Sequence, residues 1–177
     1  RKQQKENNVL SLILFRHGKS DWDKPVASDH ERPLAARGRE ASRCMGRMLS
    51  QTKQVPDLAV SSSALRARDT QQLAARAGRW GCPLRIDSAL YENSPSGILN
   101  WIKGLDADPE CLLLTGHEPT WSGLASRLIG KAVIKVPTGS MLRIDFEVDR
   151  WQQIDAGGGE LRWLLPPKVV AKIKGGK

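Results

Sequence analysis

The sequence has little of what holds disulfide-stapled or metal-dependent folds together. Its 3 Cys, Cys44, Cys82 and Cys111, are an odd number with no CxxC pair among them. That excludes a disulfide framework and a zinc site of ordinary spacing. Cys44 and Cys111 lie in apolar-patterned stretches and are expected as buried structural thiols. Aromatic residues make up 5% of the chain, with one Tyr and two Phe beside six Trp. Trp101, Trp121, Trp151 and Trp163 fall inside expected elements and read as packing residues, not as a platform for stacked bases. Apolar runs are short, as in Leu12-Ile13-Leu14-Phe15, and residues 1–8 are too polar for a signal peptide. No membrane partner is expected, and the expected setting is the reducing cytoplasm. Clustered carboxylates of the kind that hold magnesium are also missing, so neither metal nor cofactor is expected.

The chain does have an excess of positive charge, with 28 Lys+Arg against 19 Asp+Glu for a net +9. Most of that excess lies in residues 1–8 and 168–177, which read as flexible basic tails on one domain at 9–167. Its 177 residues suit a single domain that buries roughly two thirds of its unfolded surface. With 40% hydrophobic and 27% charged residues, collagen-like and disordered classes are excluded. A charge excess of this kind admits nucleic acid or a phosphorylated substrate as partner, and its concentration in the tails argues against nucleic acid.

The apolar pattern alternates strand with helix. Residues 9–15 form a nearly continuous apolar run, expected as a strand buried on both faces. Residues 35–52 have helical spacing, with Ala41, Met45, Met48 and Leu49 on one face and an arginine run on the solvated other. A strand at 58–60 leads to Ser61-Ser62-Ser63, read as a cap for a helix at 65–77. A weak strand at 84–86, a helix carrying Ile98 and Ile102, an apolar strand at 111–115 and a helix around Leu124 and Leu128 follow. The alternation predicts an α/β/α sandwich with a mostly parallel central sheet. Period-2 alternation at 142–148, then segments 151–154 and 161–165 around a glycine-rich turn, predict antiparallel strands at the C-terminal edge.

In such a sheet, ligands bind beyond the carboxyl ends of the strands. Three strands deliver polar groups there: Arg16-His17-Gly18, residues 61–66, and Gly116-His117. The chain has 3 His, and two of them fall at this edge beside a glycine. Two guanidiniums and two imidazoles suit a phosphoryl group, because arginine matches its oxygens bidentately and imidazole can attack phosphorus. Arg68 competes with Arg66, but helical spacing turns it roughly 200° away. Arg16 and Arg66 are expected to lack carboxylate partners until a phosphoryl group arrives.

These residues resemble a known family. The stretch from Phe15 to Asp23, with Arg16-His17-Gly18 at its head, is similar to the RHG signature of the histidine phosphatase superfamily, also called phosphoglycerate-mutase-like. Arg32-Pro33-Leu34 with Gly38 and Ala41, Arg66-Ala67 with Thr70, and Gly116-His117-Glu118-Pro119 resemble its later motifs. The SixA-like phosphohistidine phosphatases are the subfamily most resembled, also through Pro137-Thr138-Gly139-Ser140. The resemblance implies a phosphatase in which His17 takes the phosphoryl group while Arg16, Arg66 and His117 hold its oxygens. For Ser20 a further phosphate contact and a turn-capping hydroxyl are equal readings. Glu92, in Leu90-Tyr91-Glu92, matches the general acid of larger members, with Asp21 and Asp23 as alternatives. His30 reads as a surface-loop residue. The expected substrate is protein phosphohistidine or a small phosphomonoester. Two other readings are a basic nucleic-acid-binding module and a non-catalytic phosphate-recognition module.

Overall fold

The structure is a computed structural model that describes residues 8–175. It contains one six-stranded sheet, ordered β3-β2-β4-β1-β5-β6. The strands are β1 (Leu10–Arg16), β2 (Leu58–Ser62), β3 (Leu84–Asp87), β4 (Cys111–Gly116), β5 (Met141–Phe146) and β6 (Gly159–Leu165). The helices are α1 (Ala36–Gln51), α2 (Leu65–Gly78), α3 (Pro95–Lys103), α4 (Thr120–Leu128) and α5 (Pro167–Gly175). Strands β1 to β4 pair in parallel, while β5 and β6 run antiparallel at the C-terminal edge.

The sheet is covered on both faces because alternate residues of β1 point to opposite sides. Leu12 and Leu14 pack with Ile98, Ile102, Leu124 and Leu128, so α3 and α4 cover one face. Ile13 and Phe15 pack with Met45, Leu49, Ala74 and Val170, so α1, α2 and α5 cover the other. The continuous apolar run of β1 follows from this double covering. In β5 the same period exposes one side more, and Arg143 and Asp145 pair there across 2.7 Å.

Four local expectations are corrected. Residues 151–154 form no strand: Trp151–Gln153 is a 3₁₀ turn, and Trp151 is fully buried with its Nε1 donating to the Pro109 carbonyl at 2.9 Å. Its ring stands edge-on to Phe146, so packing decides the backbone, and the hairpin partner of β5 is β6 beyond the glycines. Ser61 and Ser62 extend β2 and do not cap α2, whose N-cap is Ala64 with no side-chain hydrogen bond. The expected tail at 168–177 is instead helical from Pro167 to Gly175, because Val170 drops into the core over α1. The other expected tail, 1–8, lies outside the described residues except at Asn8. Cys44 and Cys111 are half-buried free thiols, not fully buried ones.

Helices α1 and α2 approach closely at Gly46, where a Cβ would run into the backbone of Ala74. Trp80 Nε1 donates to the Gly46 carbonyl at 3.3 Å on the same seam. Gly46→Ala is expected to lower the unfolding free energy by about 1–3 kcal/mol through overpacking. Urea denaturation followed by circular dichroism measures it; an unchanged midpoint would show that the helices can part freely.

Candidate active site

The carboxyl ends of β1, β2 and β4 lie side by side, so the loops leaving them meet at one edge. His17 N–H donates to the Gly116 carbonyl at 3.0 Å, and Gly139 N–H donates to the His17 carbonyl at 3.1 Å. Two neighbouring chain segments therefore fix the His17 backbone. Gly18 is required sterically, since a Cβ there would stand 2.7 Å from the Gly38 carbonyl oxygen of α1. Its N–H donates to Thr70 Oγ1 at 3.0 Å, and the Thr70 hydroxyl donates to the Arg66 carbonyl at 2.7 Å. Thr70 thus ties the loop after β1 to the first turn of α2.

That tie brings His17 and Arg66 together. His17 Nδ1 lies 2.7 Å from the Gly18 carbonyl, which can only accept, so Nδ1 carries the hydrogen and Nε2 keeps its lone pair. Arg66 Nε donates to that Nε2 at 3.3 Å. The His117 ring lies beside the His17 ring, with centroids 5.2 Å apart, and its Nε2 is 2.8 Å from Ser62 Oγ. His117 Nδ1 is buried with no partner, as is Arg16 Nε, while Arg16 Nη1 donates to the Val136 carbonyl at 2.9 Å. Unsatisfied buried donors at one edge are a site prepared for a ligand with many acceptors. Arg16, His17, Ser20, Arg32 and Arg66 line a cavity of about 300 Å³ there.

The charge balance of the site favours an anion. Burial, and then the nearby Arg66, Arg16 and Arg32 guanidiniums, push His17 down to about 4, against a partial upward pull from its Gly18 hydrogen bond. Burial, and then His17, Arg66 and His30, push His117 down to about 3. Both rings are neutral near pH 7. Burial also lowers Arg16, Arg32 and Arg66 from the usual arginine value, without approaching neutrality at physiological pH.

Sequence reasoning placed Arg16, His17, Ser20, Arg66 and His117 at this edge; the structure brings the first four into one cavity lining and sets His117 beside the His17 ring, outside that lining. Ser20 is buried, and its backbone bridges to Leu34. Arg68 Nε is buried without a hydrogen bond, and Arg68 does not line the cavity. The candidate acids fare differently. Glu92 is exposed at a left-handed backbone position, φ 52°, outside the cavity lining. Asp21 caps a turn by accepting from Asp23 N–H at 3.1 Å, and Asp23 is exposed. The expectation that Arg66 lacks a carboxylate partner is corrected: Asp29 accepts from Arg66 Nη2 at 2.9 Å and also pairs with Arg32. Arg16 has no carboxylate partner among the described residues. His30 is no simple surface residue, since its Nε2 lies 2.9 Å from Ser63 Oγ and its ring meets Tyr91 edge-on at 4.9 Å.

Asp29, Arg32, Ser62, Tyr91 and Trp22 were missed. Tyr91 stacks edge-on against His117 at 5.5 Å, so in Leu90-Tyr91-Glu92 the tyrosine is the residue that touches the site. Arg32 lies 3.1 Å above the Trp22 ring centroid and is 7% exposed. Its place in Arg32-Pro33-Leu34 was the one available signal. Ser62 lay within the polar stretch 61–66 at the end of β2 but was not singled out from it, and Asp29 carries no signal that a single sequence could reveal. Among the described residues no group of three or more His, Cys, Asp or Glu stands ready to hold a metal ion, and no helix is long and apolar enough to cross a membrane.

Comparison with known proteins defines the class. The model of the histidine phosphatase superfamily (branch 1) matches residues 12–96. An uncharacterised protein of Mycobacterium tuberculosis is 36% identical over 111 residues, spanning 63% of this chain and 67% of that protein. An uncharacterised protein of Mycobacterium leprae is 29% identical over 160 residues, 83% of this chain and 96% of the relative. The chain belongs to the histidine phosphatase superfamily. In fold it is similar to the protein histidine phosphatase SixA solved with tungstate, with a TM-score of 0.76 at 21% identity over 91% of this chain and 99% of that one. A structure from Agrobacterium tumefaciens assigned as a SixA phosphohistidine phosphatase gives 0.76 at 24% identity over 89% and 98%. At these identities the likeness is one of fold.

The depressed histidines make stability depend on pH in a defined direction. In the unfolded chain both rings take up protons near 6.5, whereas folded His17 does so at about 4 and His117 at about 3. The unfolded state therefore binds more protons below 6.5, and stability is lost as pH falls through that window. Chemical denaturation at a series of pH values between 7.5 and 4 is expected to show falling stability, with the slope reduced in His17→Asn and in His117→Asn. Parallel curves for the parent and both variants would contradict the burial of neutral rings.

Proposed function

We propose that the protein is a metal-independent phosphatase that works through a phosphohistidine intermediate on His17. The observation that carries this reading is the state of the His17 ring: neutral at pH 7, with Nδ1–H fixed on the Gly18 carbonyl and Nε2 unprotonated, its lone pair accepting a long 3.3 Å hydrogen bond from Arg66 Nε that an incoming phosphoryl group would take over. A neutral imidazole with its lone pair presented is a competent nucleophile. In the first step Nε2 attacks phosphorus, a P–N bond forms, and the P–O or P–N bond to the leaving group breaks. The leaving group departs with the bonding electron pair and takes up a proton. In the second step water attacks phosphorus, the P–N bond to His17 breaks, and inorganic phosphate leaves.

Arg16 and Arg66 would hold the equatorial oxygens as charge builds, a task that positioning and electrostatics carry in phosphoryl transfer. Ser62 Oγ accepts from Ala64 N–H at 3.3 Å, so its own hydrogen can go to His117 Nε2. His117 Nδ1, buried without a partner, would then carry the hydrogen that binds a phosphoryl oxygen. Ser20 is the proposed further phosphate contact from the floor of the cavity.

The reading extends to SixA-like specificity, for protein phosphohistidine or a small phosphomonoester. A protonated phosphohistidine leaves readily without an enzymic acid. That suits a cavity whose carboxylate, Asp29, is bound by two arginines while Glu92 is exposed outside the lining. Glu92 remains the candidate acid for a phosphomonoester, whose leaving oxygen needs a proton. Similarity in fold to SixA and to an assigned α-ribazole-5′-phosphate phosphatase of Escherichia coli supports a phosphatase.

Purified protein given a chromogenic phosphomonoester in EDTA is expected to release phosphate, with His17→Ala slower by about 10⁴-fold or more. Undiminished turnover in the variant, or turnover that requires an added divalent ion, would overturn the reading.

A further inference from the structure

A larger cavity, of about 750 Å³, adjoins the phosphoryl cavity, and Lys19 and Thr138 line both. One wall is a stripe of α1: Arg37, Ala41, Cys44 and Arg47 recur every three or four residues and so share a helix face. Lys168 and Ala171 of α5 form the opposite wall, and Pro137 and Pro167 lie between. The helix that replaces the expected tail is thus what makes this surface a groove.

Its charge is one-sided. Lys19, Arg37, Arg47 and Lys168 face it, and among the described residues none of the four pairs with a carboxylate. The one acid in the lining, Glu40, is bound to Arg43. Between the cations the surface consists of proline, alanine, the Cys44 thiol and the aliphatic stems of the long side chains. No aromatic ring lines it, so it lacks the stacking platform of a single-stranded nucleic-acid site. A phosphoryl group and its immediate attachment fit the smaller cavity, whereas this volume is of the size that takes a much larger ligand.

We propose that the groove binds an acidic stretch of a protein substrate adjoining its phosphorylated residue, with the stretch entering the site past Lys19 and Thr138. The proposal deepens, and rests on, the phosphatase reading above. Carboxylates along the segment meet the four cations, and its backbone and methylene groups lie on the prolines and alanines. Complementary charge of this kind selects a partner and speeds its encounter.

Phosphohistidine peptides with acidic or with uncharged flanks are to be compared for kcat/KM, with a chromogenic phosphomonoester alongside. The acidic flank is expected to be preferred about tenfold at low salt, with the preference shrinking as salt screens exposed charges. Arg37→Glu combined with Arg47→Glu, and separately Ala171→Trp from the other wall, are expected to erase the preference through KM while leaving the chromogenic turnover unchanged. A fluorescent acidic peptide without phosphate, followed by anisotropy, reads the groove independently of catalysis. Its binding is expected to fall in both variants, and the chromogenic assay alone reports failure of the phosphatase reading. Equal turnover of the two peptides, a preference that survives both variants, or tighter binding of a single-stranded oligonucleotide than of the acidic peptide would overturn the proposal.

Discussion

The His17 imidazole gives its Nδ1 hydrogen to the carbonyl of the next residue, and much of the site follows from that bond. It fixes the tautomer, so the remaining nitrogen offers a lone pair, and it fixes the ring plane, so that lone pair meets Arg66 Nε. Burial among arginines keeps the ring neutral near pH 7. An imidazolium in the same place would have no lone pair and would repel the guanidiniums around it. The arginines that serve an incoming phosphoryl group therefore also keep the ring in its reactive form.

The bond holds because the backbone around it has little freedom. His17 is pinned to β4 and to the segment entering β5, Gly18 lies against Gly38 of α1, and Thr70 joins the loop to α2. A parallel sheet brings the ends of β1, β2 and β4 to one edge, and each contributes a polar group: His17, Ser62 and His117. Rings continue in contact from His17 through His117 and Tyr91 to His30 along one side of the site. Asp29 holds Arg66 and Arg32 together, so their positive charges stand side by side at tolerable cost.

What the sequence revealed and what it hid divide along a physical line. The apolar runs of β1 and β4 and the helical spacing of α1 and α2 are local patterns, and so are the polar residues at the strand ends. Those features were legible. Trp151 was misjudged as a strand residue because its backbone is set by a ring packed on Phe146, a contact not encoded nearby. The basic composition of α5 reads as a tail, whereas Val170, which anchors it among the described side chains, meets a core built by distant segments. Asp29 was invisible for a similar reason: its partner Arg66 is 37 residues further along the chain. Motif residues at turns can be read singly, but the groups that neutralise and orient them come from elsewhere in the fold.

The central claim is that His17 Nε2 itself takes the phosphoryl group. Rapid acid-free quenching during turnover, followed by ³¹P NMR and peptide mass spectrometry, tests it most directly. The account predicts an acid-labile, alkali-stable phosphoramidate on the peptide carrying His17, at Nε2 and absent from His17→Ala. A phosphoryl group found on His117 or on another residue, or turnover without any phosphoenzyme, would contradict it.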